Sequence, residues 1–531
     1  MAKKFRTPGV YIEEKDSFPG SVVAVETAVP AFIGYTEKAS REGKSVLNQP
    51  VRITSLAEFI AYFGSGFKSK FQLDNQKPNN DKPSITINGV DKVINYVKNN
   101  KAFMFPGLKL FYANGGGPCY IVSVGTYGDK NRIYLNKGEL KDGLDTLLKE
   151  QEPTMIVIPD AVNLPDNDCY ELYRDVLGHC AKIQSRIAIL DIQDGYKNRI
   201  QDGGQEDIIT RFREAIGSEN LSYAAVYYPW LETNITDKKD VCFDCLAMDK
   251  NEFEALLRET TAQEFFEAII KTPVSETEEP SDIHEIADDQ ENQVRTAEEQ
   301  IPFVDLNGFE ITAEHYHLGL LATSPTYSKL IDELWSTINL LPPSSAMAGI
   351  YTAVDNDRGV WKSPANISVA NVIKPTVNIT HDEQENLNVD AVSGKSINAI
   401  RTFPGVGTMV WGGRTLDGNS LDWRYINVRR TMIMLEQSIK LALRAYVFEP
   451  NDANTWVTVK SMIVNFLTQK WNQGALAGAT PEDAFGVQVG LGTTMTSSDI
   501  LEGRMLIVVN LAIVRPAEFI VVSFEQEMQK S

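Results

Sequence analysis

Short apolar runs of strand length recur along the first half of the chain. Residues 9–14 alternate Val10 and Ile12 with Tyr11 and Glu13, the two-residue period of a half-exposed strand. Residues 31–35, 119–124, 155–158, 187–190 and 223–228 are largely apolar, and helix-length segments at 169–184 and 206–216 separate the later runs. Strands read this way when both their faces are covered, which predicts an α/β layer on a mainly parallel sheet.

The period changes in the last third. Val428, Met432, Leu435, Ile439, Ala442 and Tyr446 recur at intervals of three and four, which predicts a helix over 426–447 that Pro450 ends. A second helix starts after a cap drawn from Asn451, Asp452 or Asn454. It carries Trp456, Val459, Ile463, Phe466 or Leu467, and Trp471 on one face and stops at Gly474. Strands follow. Phe485, Val487, Val489 and Leu491 alternate with Gly486, Gln488 and Gly490, a strand with a bare second face, and the apolar runs 505–514 and 518–525 flank Arg515-Pro516-Ala517. No repeat of solenoid period is present.

Composition narrows the class. The chain has 531 residues, 43% hydrophobic and 23% charged, which is ordinary for a globular protein of several domains. Its net charge of −20 argues against a nucleic-acid partner, since binding phosphates needs a basic face. That charge is uneven: 276–299 holds ten acids and one base, whereas 401–471 holds nine bases and five acids. The acidic block reads as a solvated excursion. Five cysteines imply no disulfide framework, and the longest apolar run, 505–514, contains Asn510 and is about half the roughly twenty residues of a membrane span. No apolar stretch of the signal-peptide kind follows the basic start. The expectation is a protein made in a reducing cytoplasm, without direct membrane insertion.

Candidate chemistry fails on spacing. Gly43-Lys44-Ser45 and Gly394-Lys395-Ser396 end like phosphate loops, but Lys38 and Val389 stand where the first glycine belongs. His284-Glu285 would need a histidine where Asp288 stands, and the acidic run Asp355–Gly359 continues with Val360 and Asn366 where a calcium loop needs Gly and Glu. Cys242-x-x-Cys245 lacks a second pair at zinc spacing and reads as two ordinary cysteines; His315 and His317 would share a face only on a strand. No catalytic, cofactor-binding or metal residue is therefore assigned, no cofactor is expected, and the chain reads as a non-enzyme. The alternative is a cytosolic α/β enzyme with a site at the strand ends of residues 105–230.

Several segments resemble the contractile tail sheath family of myophages and phage tail-like contractile injection systems. They include Pro8-Gly9-Val10-Tyr11-Ile12-Glu13-Glu14, Thr27 to Gly34, Asn114 to Val124, Ile156 to Asp160 and Ala224 to Trp230. The likeness is densest in Pro342 to Tyr351, Asp357 to Asn366, Phe403-Pro404-Gly405, Val410 to Leu416, Trp423 to Arg430, Val447 to Asn451, Gly474 to Gly478 and Pro516 to Phe519. The stretch 486–492 departs from the family pattern, and 64–104 and 231–305 match nothing in it.

The resemblance implies an α/β (α+β overall), multi-domain subunit that polymerises helically around an inner tube and contracts to drive it through a target envelope. Implied partners are further copies of itself in stacked hexameric rings, the inner tube protein, baseplate and tail-terminator proteins, and sister sheath proteins. Assembly is expected in the bacterial cytoplasm, with the product in a virion tail or an injection particle. The expected layout is an N-terminal arm (1–25), an outer α/β domain (26–335) with insertions at 64–104 and 231–305, an inner core domain facing the tube (336–515), and a C-terminal arm (516–531).

Both chain ends carry strands free to pair with a neighbour's sheet, through Val10, Tyr11, Ile12 and Glu13, and through Phe519, Ile520, Val521, Val522 and Phe524. Pairing within one subunit is the alternative. Arg429, Lys440, Arg444, Lys460 and Lys470 are the tube-facing candidates on the two C-terminal helices; an ordinary solvated helix face is equally compatible with them.

Overall fold

A computed structural model describes residues 22–75, 83–127, 132–199, 207–271, 303–305, 310–390 and 392–523. A nine-stranded sheet forms its centre. In chain order its strands are β1 (Pro30–Thr36), β2 (Val51–Ile53), β3 (Cys119–Thr126), β4 (Met155–Val157), β5 (Ile187–Asp191), β6 (Ala224–Tyr228), β7 (Ile367–Ser368), β8 (Asn398–Phe403) and β9 (Gly407–Trp411). Across the sheet they run β7-β9-β8-β6-β5-β4-β1-β3-β2. Every pairing from β8 through β3 is parallel. The edge strands β2, β9 and β7 add in antiparallel.

The inner strands read as unbroken apolar runs because each alternate residue enters a different core. Phe32, Ile121, Val157, Ile189 and Tyr227 face one layer; Ile33, Val122, Ile156, Leu190 and Val226 face the other. The helices that cover these faces are α1 (Met104–Ala113), α2 (Lys137–Thr146), α3 (Asp166–Ile183), α4 (Ile208–Ala215) and α5 (Ser344–Arg358). Helices α1 and α5 lie on the first face and α2, α3 and α4 on the second. Gly349 lets α5 approach α1, since a Cβ there would stand 2.4 Å from the Phe111 carbonyl oxygen.

The expected boundary at 335/336 does not coincide with an end of this sheet. Helix α5 covers it and β7, β8 and β9 extend it, so the chain stays in the α/β body to about residue 411. The segments 64–104 and 231–305, which the sequence leaves unplaced, contribute to one satellite core. Phe71, Ile85, Ile87 and Ile94 pack with Val241, Leu246, Phe253 and Leu257, closed by Tyr316, Tyr327, Leu330 and Leu334.

The C-terminal body is built from α6 (Ile426–Leu443), α7 (Ala453–Asn472), β10 (Phe485–Val489) and β11 (Ile507–Leu511). Asp452 is the cap of α7, its carboxylate accepting from the Thr455 amide at 3.0 Å, and Gly474 ends the turn beyond the helix at φ +87°. Strand β10 pairs with β11 from Phe485↔Leu511 to Val489↔Ile507, burying Phe485 and Val487 and leaving Gln488 exposed. Val22, at the start of the described chain, is buried in this same cluster. Among the described residues no helix is long and apolar enough to cross a membrane.

Candidate assembly surface

The C-terminal segment leaves the body through a set of polar anchors. Asn427 Nδ2 donates to the Val514 carbonyl at 3.0 Å and to that of Trp361 at 2.9 Å. Four residues on, the Glu518 carboxylate accepts from Arg414 Nε (3.0 Å) and Nη2 (2.6 Å), from Asn388 Nδ2 (2.7 Å) and from the Tyr425 hydroxyl (3.2 Å). Burial works against the Glu518 charge, but the Arg414 and Asn388 donors and the guanidinium's field hold its carboxyl below the ordinary range. Arg414 is itself buried, and its backbone N–H donates to Asn398 Oδ1 at 2.8 Å, which ties the anchor to β8.

Immediately past Glu518 the chain turns outward. Phe519, Ile520, Val521 and Val522 are 71, 80, 88 and 66% exposed. Four consecutive large apolar residues in water are costly at roughly 25 cal/mol per Å² of apolar surface. Residues 519–523 join no strand of this chain, although their composition predicts one. A strand needs a ladder partner, and this segment has none among the described residues. Phe524 lies outside the described residues, as do Val10, Tyr11, Ile12 and Glu13 and the acidic stretch 276–299.

The segment 25–27, near the start of the described residues, is pinned as well. The Val25 amide donates to Ser438 Oγ at 3.0 Å on α6, and the Thr27 carbonyl accepts from Arg430 Nη2 at 2.9 Å. Arg430 also binds Asp355 at 2.8 and 2.7 Å, and the Thr27 hydroxyl donates to Asp355 Oδ2 at 2.6 Å. Three segments far apart in sequence thus meet at one buried ion pair.

The five basic residues expected on one outer face are not all exposed. Arg429 is a correction: it is buried, its guanidinium carbon 3.8 Å from the Tyr223 ring centroid and 4.5 Å from that of Trp423. The helical period alone could not reveal it, because both aromatic partners come from outside the helix. Lys440 and Arg444 are exposed but line a cleft of about 510 Å³ between α6 and the segments around Glu150–Thr154 and Lys182–Ile187. Lys460 stands exposed on α7. Lys470 is half-buried over Trp361 and Phe466, and its removal from water lowers its pKa.

The strand ends considered for an enzyme site are occupied by the protein itself. Asp191, at the end of β5, accepts from the Ser344 amide at 2.8 Å, and burial pushes its carboxyl up to about 7 despite the bonds from Ser344. Asp160, after β4, accepts from the Phe103 amide at 2.6 Å, with its carboxyl raised by burial to about 6. Trp230 fills the space after β6, its indole donating to the Ile192 carbonyl at 2.9 Å. His315 and His317 fall on the helix Ala313–Thr323, and His317 Nδ1 meets the Tyr327 hydroxyl at 2.7 Å. The run from Asp355 that suggested a calcium loop is the last turn of α5.

Comparison with known proteins gives a consistent answer. Residues 419–527 match the phage tail sheath C-terminal domain family. The chain is 27% identical over 155 residues to the tail sheath protein of Burkholderia phage BcepMu, covering 28% of this chain and 32% of that protein. It is 27% identical over 130 residues to the tail sheath protein of Enterobacteria phage T4, covering 24% of this chain and 19% of that one. These curated relatives are thus matched over a third of their length or less. Two solved structures align end to end. One is the sheath of an extracellular contractile injection system, PVC, in the contracted state (25% identity, TM-score 0.57, 99% of each chain). The other is the helical sheath of the anti-feeding prophage, also contracted (27% identity, TM-score 0.57, 98% of this chain and 100% of that one). In its C-terminal domain, in its phage relatives and in this end-to-end likeness, the chain is similar to contractile tail sheath proteins.

Proposed function

We propose that the chain is the structural subunit of a contractile sheath, polymerising helically around an inner tube and shortening to drive that tube through a target envelope, without catalysis. One observation carries the assembly reading: the exposed apolar segment Phe519–Val522 issues from a body to which Glu518 is firmly held. An extended apolar segment with free backbone groups is suited to adding a strand to a neighbour's sheet, with backbone bonds giving affinity. The two-stranded sheet β10–β11, with one edge of each strand unpaired among the described residues, offers a site for such a strand. A contact in which one copy's arm meets another copy's sheet is heterologous and builds filaments. Residues 1–25 are assigned the same linking role at the other end, through Val10, Tyr11, Ile12 and Glu13.

For the tube, the hairpin of α6 and α7 is the assigned face, with Lys440, Arg444 and Lys460 its exposed cations, Lys470 half-buried beside them, and the buried Arg429 withdrawn from the set. Baseplate, terminator and sister sheath proteins are the further partners, and the particle is assembled in the cytoplasm before release or anchoring. The test is electron microscopy of full-length protein beside two truncations, one without residues 1–14 and one ending at Glu518. Tubes or cogwheel polymers from the full chain, with folded non-polymerising truncations, are expected. Normal tubes from either truncation would remove the linking role from that arm, and a full chain that stays monomeric at high concentration would count against the sheath itself.

A further inference from the structure

The pair Cys242 and Cys245 lies at the satellite core, against which Cys245 is packed. Of the five cysteines, Cys119, Cys169 and Cys180 are buried, whereas these two are partly exposed. They bracket a tight turn closed by the Cys245 amide donating to the Cys242 carbonyl at 3.0 Å. A turn of that kind brings its first and fourth Cα atoms within about 7 Å, close to the upper end of the range a disulfide spans. The Cys242 thiol donates to Asp244 Oδ1 at 2.7 Å, and the charge of the same carboxylate acts on Cys245.

We propose that Cys242 and Cys245 are a redox pair that closes to an intramolecular disulfide by exchange with a low-molecular-weight disulfide. One cysteine thiolate attacks the small disulfide, releasing one equivalent of small thiol. The second thiolate then attacks the mixed disulfide, forming the Cys242–Cys245 bond and releasing the second equivalent. Two protein thiols are oxidised, one small disulfide is reduced, and both protons leave with the small thiols. Burial, and the Asp244 carboxylate beside them, push the two thiols up to about 12 and about 11. The pair is therefore slow to react at neutral pH and stays open in a reducing compartment. Closure would fix the turn that seats Phe243 against Tyr316, their ring centroids 5.0 Å apart.

Full-length protein is incubated in its native state with oxidised glutathione at about pH 8.5, near the ordinary thiol pKa. Remaining thiols are alkylated and the tryptic peptide Asp240–Lys250 is weighed. The expected peptide is unalkylated and lighter by two hydrogens, while Cys245→Ser accumulates a glutathione adduct on Cys242. A trivalent monoarsenical, which requires two neighbouring thiols, should bind the wild-type chain one to one and fail on Cys245→Ser. Two alkylated sulfurs, stable adducts on both sulfurs, or no arsenical binding by the wild-type protein would overturn the proposal.

Discussion

Arg430 and Asp355 form a bidentate ion pair at 2.8 and 2.7 Å, with side chains only 4 and 2% exposed. The pair joins α6 to α5, and through Thr27 it fastens the incoming N-terminal segment to both. It therefore couples the C-terminal body to the α/β body at a point shielded from solvent.

Breaking one side of that pair should be expensive. Arg430→Met leaves the Asp355 carboxylate buried without its cation, and loss of a buried partner typically costs about 3–5 kcal/mol. Thermal or denaturant unfolding should show that loss, with partial recovery when Asp355→Leu is added. A loss below about 1 kcal/mol would mean that water reaches the site.

The arm should be separable from the fold. Val521→Asp places a charge where an added strand would bury an apolar side chain, yet the position is 88% exposed. Unfolding stability should change by less than about 0.5 kcal/mol, as for exposed positions generally. Sedimentation and microscopy should nonetheless show assembly abolished. Unimpaired tubes would mean that this segment is not the strand that pairs.

Arg429 should behave as a packing residue. Replacing it by Ala removes a cation from between the Tyr223 and Trp423 rings, a contribution of about 2 kcal/mol for a desolvated site. Tryptophan emission should shift as Trp423 becomes hydrated. Lys460→Glu, by contrast, should leave stability unaltered and weaken tube association in a salt-dependent manner.

The buried carboxylate of Asp191 gives a pH dependence of definite sign. Its folded-state pKa, about 7, lies above the ordinary carboxylate value. The protonated form is thus favoured by folding, and its contribution is complete below about pH 4 and lost as pH rises through 7. Asp191→Asn should flatten the fall in melting temperature between those limits. An unchanged slope would assign the dependence to other groups, Asp160 first among them.

How far the sequence reveals this architecture depends on where each residue's partners lie. Strands such as β1 and β5 are legible because their central residues are apolar for a local reason, one face to each helical layer. Helix α7 announces its own start at Asp452 and its end at Gly474. The satellite core is not legible: its halves are separated by well over a hundred residues, and neither has an apolar surface that closes on itself. The burial of Arg429 depends on Tyr223, two hundred residues away, so its charge alone suggests an outer face. Arg430 did leave a trace. It lies four residues after Ile426 and three before Ile433, on the face those residues bury, where a cation implies a buried acid.

The grip on Glu518 also decides how the subunit would bear a load. Tension applied along residues 519–522 reaches Glu518 first, passes to Arg414, and from the Arg414 backbone enters Asn398 of β8. The pull therefore has a route that bypasses the hairpin β10–β11 and arrives in the nine-stranded sheet. There it would be shared among parallel ladders whose hydrogen bonds resist sliding together rather than one at a time. A subunit wired in this way can be hauled by its tail without being unravelled.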